Sequence, residues 1–173
     1  MLQPPRIWWK PLDRLEKSWV TIAFVWCVFL TAMMPFWYYQ GRQNVPTVTY
    51  QTTPDEFKAK VDAFTDEHKI GEEGGIPVVA PPADSDVYVL ARQWQWYPIL
   101  QLEKGKEYRI HLSSLDVLHG FSIQPVNLNF MALPGYDYVI TLTPTQSGEF
   151  TIVCNEYCEL GHHTMVGKII VTE

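Results

Sequence analysis

Three regimes of hydrophobic patterning follow one another along the chain. Residues 18–41 contain no charged side chain, and the centre of this run is strongly apolar. With its flanks it reaches the roughly 20 residues that a bilayer-spanning helix needs. Trp8, Trp9 and Trp19 stand before it or at its start, and Trp37, Tyr38 and Tyr39 close it, as in an interfacial aromatic belt. Pro35 is expected to kink or end the helix. The run is long for a secretory leader. In place of a small-residue cleavage site it ends on the bulky Met33, Met34, Phe36 and Trp37, so it reads as an uncleaved anchor. Arg6, Lys10, Arg14 and Lys17 precede the span and Arg42 alone follows closely, which puts residues 1–17 in the cytoplasm and the rest of the chain outside.

The second regime, residues 42–85, has one helical signature. Thr53 and Glu56 form a capping box around Pro54 at the first helical position. Phe57, Val61, Phe64 and His68 then recur at helical spacing, and Gly71 is the expected stop. Its acidic side chains, Asp55, Glu56, Asp62, Asp66 and Glu67, fit a solvated face, with a docking surface for a basic electron donor as the alternative. Gly74, Gly75, Pro77, Pro81 and Pro82 predict a loop. The segment is therefore expected to be a linker with a short helix. From Asp86 the period changes to two. Val87 and Val89 alternate with Tyr88 and Leu90, Ile110 and Leu112 with Arg109 and His111, and Ile140 and Leu142 with Val139 and Thr141. Phe150 and Ile152 lead to Cys154, and residues 168–172 form a further short strand. Turns are expected at Gly105, Gly135 and Gly148. This predicts an all-β domain over residues 86–173, a sandwich or Greek-key barrel, behind one transmembrane helix.

The chain has 173 residues and a formal net charge of -6, without a basic stripe, so nucleic acid is excluded as a partner. One domain with an appendage fits this length. Cys27 lies alone in the apolar run, where a small buried hydrophobe is expected.

The chemistry concentrates near the end of the β region. Cys154, Cys158, His162 and Met165 fall on one loop, and thiolate, imidazole and thioether are the soft ligand set that selects copper. A disulfide would explain neither the histidine nor the methionine. Zinc prefers a closed set of cysteine and histidine and has no use for a thioether. A mononuclear blue-copper site needs one cysteine only. Two thiolates can each bridge two ions, so the second cysteine argues for a two-copper centre. A further histidine is needed, and His119, before Gly120 on a turn expected at a barrel end, is the candidate. His111, facing away from the apolar side of its strand, and His68, on the linker helix, have no apparent company.

This loop resembles the CuA loop of cytochrome c oxidase subunit II, whose pattern Cys-x-Glu-x-Cys-x-x-x-His-x-x-Met it matches at every specified position. The resemblance implies bridging ligands Cys154 and Cys158, terminal ligands His162 and Met165, and a carbonyl ligand from Glu156. His163 falls out of register. Glu159 stands where the family usually has glycine. Asp116, Val117 and His119 resemble the family's Asp-Val-x-His segment, which supplies the first histidine. Gln93, Trp94 and Trp96 resemble its Gln-Trp-x-Trp patch, which implies Trp94 as the residue that takes the electron from cytochrome c. In the mitochondrial-like branch the carboxylate matching Glu156 reaches a Mg or Mn ion beside subunit I. The single span and short chain here look more like B-family oxidases, where that ion is often absent. The resemblance narrows the fold to a cupredoxin-like barrel. It further implies a multi-span haem–copper catalytic subunit I as partner, cytochrome c or a cupredoxin as donor, and a single-pass protein of the inner (cytoplasmic) membrane with its copper domain on the periplasmic face. No haem-binding set, proton pathway or O2 site is visible, so reduction of the terminal acceptor falls to the partner. A CuA subunit of a haem–copper nitric oxide reductase and a stand-alone membrane-anchored cupredoxin are the alternatives.

Overall fold

The computed structural model describes residues 11–41, 46, 48–126 and 128–173, which divide into two compact units, residues 1–43 and 44–173. Trp8, Trp9, Arg6, Lys10 and Arg42 lie outside the described residues.

The first unit is a single helix, α1 (Arg14–Gln40), of 27 residues. At 1.5 Å per residue it is about 40 Å long, enough to cross a hydrocarbon layer of about 30 Å. It starts before the expected Ser18 because Asp13 and Glu16 form a capping box: Asp13 Oδ1 accepts from the Glu16 amide at 2.8 Å and Glu16 Oε2 from the Asp13 amide at 3.0 Å. Pro35 does not end the helix, which continues to Gln40. The hydroxyls of Ser18 and Thr21 donate to the carbonyls of Arg14 and Lys17, so these polar groups are satisfied within the helix itself. No residue of α1 is buried in this unit, and Cys27, expected as a buried hydrophobe, is exposed.

The second unit is a two-sheet sandwich. Its strands are β1 (Val48–Gln51), β2 (Lys69–Glu73), β3 (Ile76–Val79), β4 (Asp86–Arg92), β5 (Gln95–Tyr97), β6 (Ile99–Glu103), β7 (Tyr108–Ser114), β8 (His119–Gln124), β9 (Leu128–Ala132), β10 (Tyr136–Leu142), β11 (Gly148–Cys154) and β12 (Val166–Thr172). One sheet has the order β1-β10-β7-β4-β5 and the other β2-β3-β6-β12-β11-β8-β9. The pairs β4/β7, β6/β12 and β3/β6 are parallel, as crossovers between sheets require, and the others are antiparallel. Period-two alternation sends Val87, Val89, Ile110, Leu112, Ile140 and Ile152 into the core between the sheets, where Trp96 and Phe121 fill its wider end.

Residues 44–85 are more than a linker. β1 pairs with β10, and β2 and β3 extend the larger sheet through β6. Between them α2 (Pro54–His68) forms as its capping box predicts, Thr53 accepting from Glu56 and Glu56 from Thr53. It ends at His68 and not at Gly71, which lies inside β2. Gly74 and Gly75, expected in a loop, both have positive φ and make the two-residue turn of the β2–β3 hairpin. α2 lays Phe57 and Val61 against Leu90, with Tyr88, Tyr97 and Leu115 around them. This covers the outer face of β4 and β7. Under that cover His111 does have company: it stacks on Tyr88 at 4.7 Å, and its Nδ1 lies 2.9 Å from the buried Asp137 carboxylate. His68 meets Phe64 edge-on.

Candidate metal centre

Three strand ends and one loop meet at one end of the sandwich. β8 begins with His119, β11 ends with Cys154, and β12 begins just after Met165. Cys154 stands opposite Phe121 in the β11–β8 ladder, and its amide donates to the Met165 carbonyl at 3.2 Å. Residues 155–165 leave this ladder, turn over the end of the core, and return through a short 3-10 turn, His162–Thr164. His119 is fully buried, and so nearly are Cys154, Cys158 and Met165. It opens a strand and does not sit on an exposed turn.

The side chains converge. Cys154 and Cys158 have their sulfurs 3.6 Å apart. His119 Nδ1 is 3.9 Å from the Cys154 sulfur, and His162 Nδ1 is 3.6 Å from that of Cys158. Met165 Sδ lies 3.1 Å from His119 Nδ1 and 3.8 Å from Cys158 Sγ. The Glu156 carbonyl oxygen is 3.2 Å from Cys154 Sγ. The ligating atoms of His119, Cys154 and Cys158 all fall within 4.8 Å of one another. The six candidate residues, His119, Cys154, Glu156, Cys158, His162 and Met165, thus lie together, Glu156 through its carbonyl oxygen. The Glu156 side chain is exposed and its carboxylate stands outside this cluster, so the Mg or Mn reading gains no support. His163 is exposed beside the half-buried His162.

Electrostatics suit a cation. Burial pushes the Cys158 thiol up to about 12, with the hydrogen bond and charge of Cys154 adding to it. The Cys158 thiol is therefore neutral at pH 7 unless a bound cation stabilises the thiolate. Burial also raises the Asp116 carboxyl, but hydrogen bonds from His119 and from the Gln93 and Val117 amides outweigh it and hold the group below the usual range. Asp116 Oδ1 lies 2.8 Å from His119 Nε2, and Nδ1 on the other side of the ring faces the sulfurs.

Trp94 lies over the loop. It is 40% exposed, and its indole Nε1 donates to the Cys158 carbonyl at 2.8 Å. The ring rests on Gly161, where a Cβ would stand only 2.2 Å from it. Trp96, next but one, is buried and packs edge-on against His119 at 6.1 Å and Phe121 at 5.2 Å. Gly120 has a similar part to Gly161: a Cβ there would lie 2.0 Å from Asn155 Oδ1 and 2.7 Å from the Glu156 amide. Glu159 takes the left-handed φ of 76°, the conformation that the family's glycine would adopt freely. Sequence reasoning missed Gly120 and Gly161 as site residues. It quoted Asp116 as part of a motif without a role, although a carboxylate three residues before a ligating histidine was the signal.

The family model of the periplasmic domain of cytochrome c oxidase subunit II matches residues 97–173. "Cytochrome c oxidase subunit 2" of Thermus thermophilus is 30% identical over 167 residues, covering 95% of each chain. This chain belongs to the cytochrome c oxidase subunit II family. As a subunit II protein it is one component of an oxidoreductase complex and partners a catalytic subunit. A chain in the structure of a heme-copper terminal oxidase dimer aligns with 92% of this subunit II and 100% of its own length, at TM-score 0.58 and 26% identity. Rusticyanin from Thiobacillus ferrooxidans, at 18% identity and TM-score 0.52 over 73% of the chain, shows that the sandwich is cupredoxin-like. Among the described residues one helix, α1, is long and apolar enough to cross a membrane, and with the periplasmic-domain match it fits a single-pass membrane protein. The nitric oxide reductase alternative gains nothing from these comparisons.

Proposed function

We propose that the centre is a binuclear CuA site and that this subunit II relays electrons from cytochrome c, or a similar small donor, to haem in the catalytic subunit for O2 reduction. The observation that carries the reading is the pairing of donors. Two sulfurs lie 3.6 Å apart, and each has its own imidazole, His119 on the Cys154 side and His162 on the Cys158 side. Met165 and the Glu156 carbonyl complete the set. A single copper held by two imidazoles, one thiolate and a thioether would leave the second thiolate without purpose. Cys154 and Cys158, with His119, His162, Met165 and the Glu156 carbonyl, would hold the two coppers, which would supply a one-electron store with its charge spread over both ions.

The protein's part is to hold the donors still and dry. Cys154, Cys158, His119 and Met165 are buried, three of them at strand ends and Cys158 on the loop under the Trp94 indole, so their positions change little when the charge changes. His162 is half-buried towards solvent, on the same loop as the exposed Tyr157 and Leu160. Trp94, hydrogen-bonded to the carbonyl of the bridging Cys158, is the proposed point where the electron is taken in. The domain faces the periplasm and the tail before α1 the cytoplasm, in keeping with the charges that flank the span.

Copper analysis and electron paramagnetic resonance on the full chain in detergent test this reading. Two coppers sharing one unpaired electron are expected. Cys154→Ser or Cys158→Ser should abolish that signal, and His163→Ala should leave it intact. One copper per chain with a single-nucleus pattern would overturn the reading.

A further inference from the structure

The two oxygens of Asp116 face two different parts of the site. Oδ1 accepts from His119 Nε2 at 2.8 Å and from the Val117 amide at 2.7 Å, with the Ser114 hydroxyl at 3.4 Å. Oδ2 accepts from the Gln93 amide at 2.7 Å. Gln93 and Trp94 are the two residues of the turn between β4 and β5. One carboxylate in the β7–β8 connection therefore holds a ligand-bearing ring with one oxygen. With the other it holds the backbone that carries Trp94. The circuit closes on the far side, where the Trp94 indole donates to the Cys158 carbonyl at 2.8 Å and its ring lies on Gly161.

Neither anchor alone would place both groups. Without the Oδ1 bond the His119 Nε2 has no other hydrogen-bond partner among the described residues, and either ring nitrogen could carry the proton. Without the Oδ2 bond the turn is held at its base by the Arg92–Gln95 pairing, and its tip keeps the contact of the 40% exposed indole with the loop. Charge-assisted bonds from a carboxylate are roughly twice as strong as neutral ones, which suits a group that must hold two elements at once.

We propose that Asp116 is a positioning residue that couples the metal centre to Trp94, fixing the His119 ring with Nδ1 towards the thiols and the Gln93–Trp94 turn against the ligand loop. The inference rests on the CuA reading above. Asparagine separates the two tasks, because it offers one oxygen where the carboxylate offers two. Its NH2 would face an N–H donor on one side or the other, so it can serve His119 or Gln93 but not both.

The test compares wild type, Asp116→Ala and Asp116→Asn as full chains in detergent, with His163→Ala as control. In metal-free protein, nitrogen-15 NMR reads the Gln93 amide and the His119 ring tautomer. In copper-loaded protein, affinity, reduction potential and the rate of electron uptake from reduced cytochrome c are read. Asp116→Ala should speed Gln93 amide exchange about ten-fold or more. It should also weaken copper binding about ten-fold or more and shift the potential. Asp116→Asn, which keeps the shape should the alanine variant fail to fold, should lose one effect and retain the other. His163→Ala should move none of these readouts. If Asp116→Ala leaves Gln93 exchange unchanged, the carboxylate serves His119 alone and the coupling is refuted. If potential, affinity and uptake rate are all unchanged in a protein with the two-copper signal, the proposal is refuted as well. A wild type with one copper would overturn the CuA reading instead, and the metal-free NMR would still judge the tether.

Discussion

Two glycines, Gly120 and Gly161, make room for the site, and Gly161 supports a direct test. At Gly161 a methyl group would stand 2.2 Å from the Trp94 ring, and an indole cannot yield as a flexible side chain does. Gly161→Ala should therefore lift the ring from the loop, break the Nε1 bond to the Cys158 carbonyl and reduce stability by about 1–3 kcal/mol. The indole N–H resonance of Trp94 should move upfield, and an unmoved resonance would show that the loop and not the ring gives way. Glu159 is the opposite case, a side chain where glycine would be at ease. Its φ of 76° costs about 1–2 kcal/mol in a non-glycine residue, and glycine's larger unfolded-state freedom offsets about half of that. Glu159→Gly should raise the unfolding free energy by about 0.5 kcal/mol in denaturant titration, and a loss would mean that the Glu159 side chain makes a stabilising contact. The ligands themselves were readable because four of them sit on one loop at fixed spacing. The glycines were not, because nothing near Gly161 in the chain announces a ring that arrives from the β4–β5 turn. His119 was found through three neighbouring residues, while the purpose of Asp116 depends on Gln93, which only folding brings to it.

At the scale of elements, the capping box of α2 and its apolar spacing were legible, and the cover it provides was not. Phe57, Val61 and Phe64 mark a buried face, but which surface they bury depends on the outward residues of β4 and β7. Tyr88 and Leu90 read as the outer half of an alternating strand, when in fact both faces of β4 are covered. β1 escaped notice because all four of its residues are exposed, so no buried face marks it. Phe57 is completely buried under α2. Phe57→Ala should lower stability by about 3 kcal/mol, in a single transition seen by both helical and sheet signals. If the helix melts first and the sheet transition does not move, α2 is an appended linker helix after all.

For the molecule as a whole, fold class followed from period-two patterning and turns, but strand order did not. The parallel pairs β3/β6, β4/β7 and β6/β12 join segments distant in the chain, and alternation says nothing about neighbours in a sheet. The candidate membrane helix was legible from composition, because a run of this length without charge and rich in apolar side chains favours apolar surroundings. From this comes an expectation for the intact protein. Purified in mild detergent from its native membrane, it should travel with a haem-containing partner, checked by the haem absorbance of the co-purified fraction. A haem-free fraction would favour a stand-alone carrier.

The position of β12 has a consequence for biogenesis. It follows all its sheet neighbours in the chain, yet lies between β6 and β11, pairing in parallel with one and antiparallel with the other. During synthesis and export, every strand before it can emerge while β6 and β11 still present bare edges to each other. Open edges of this kind invite pairing with other chains. Met165 and His162 also emerge only just ahead of β12, so a half-exported chain holds Cys154 and Cys158 without the residues that complete their surroundings. The donor set is thereby complete only when the last strand is about to be made.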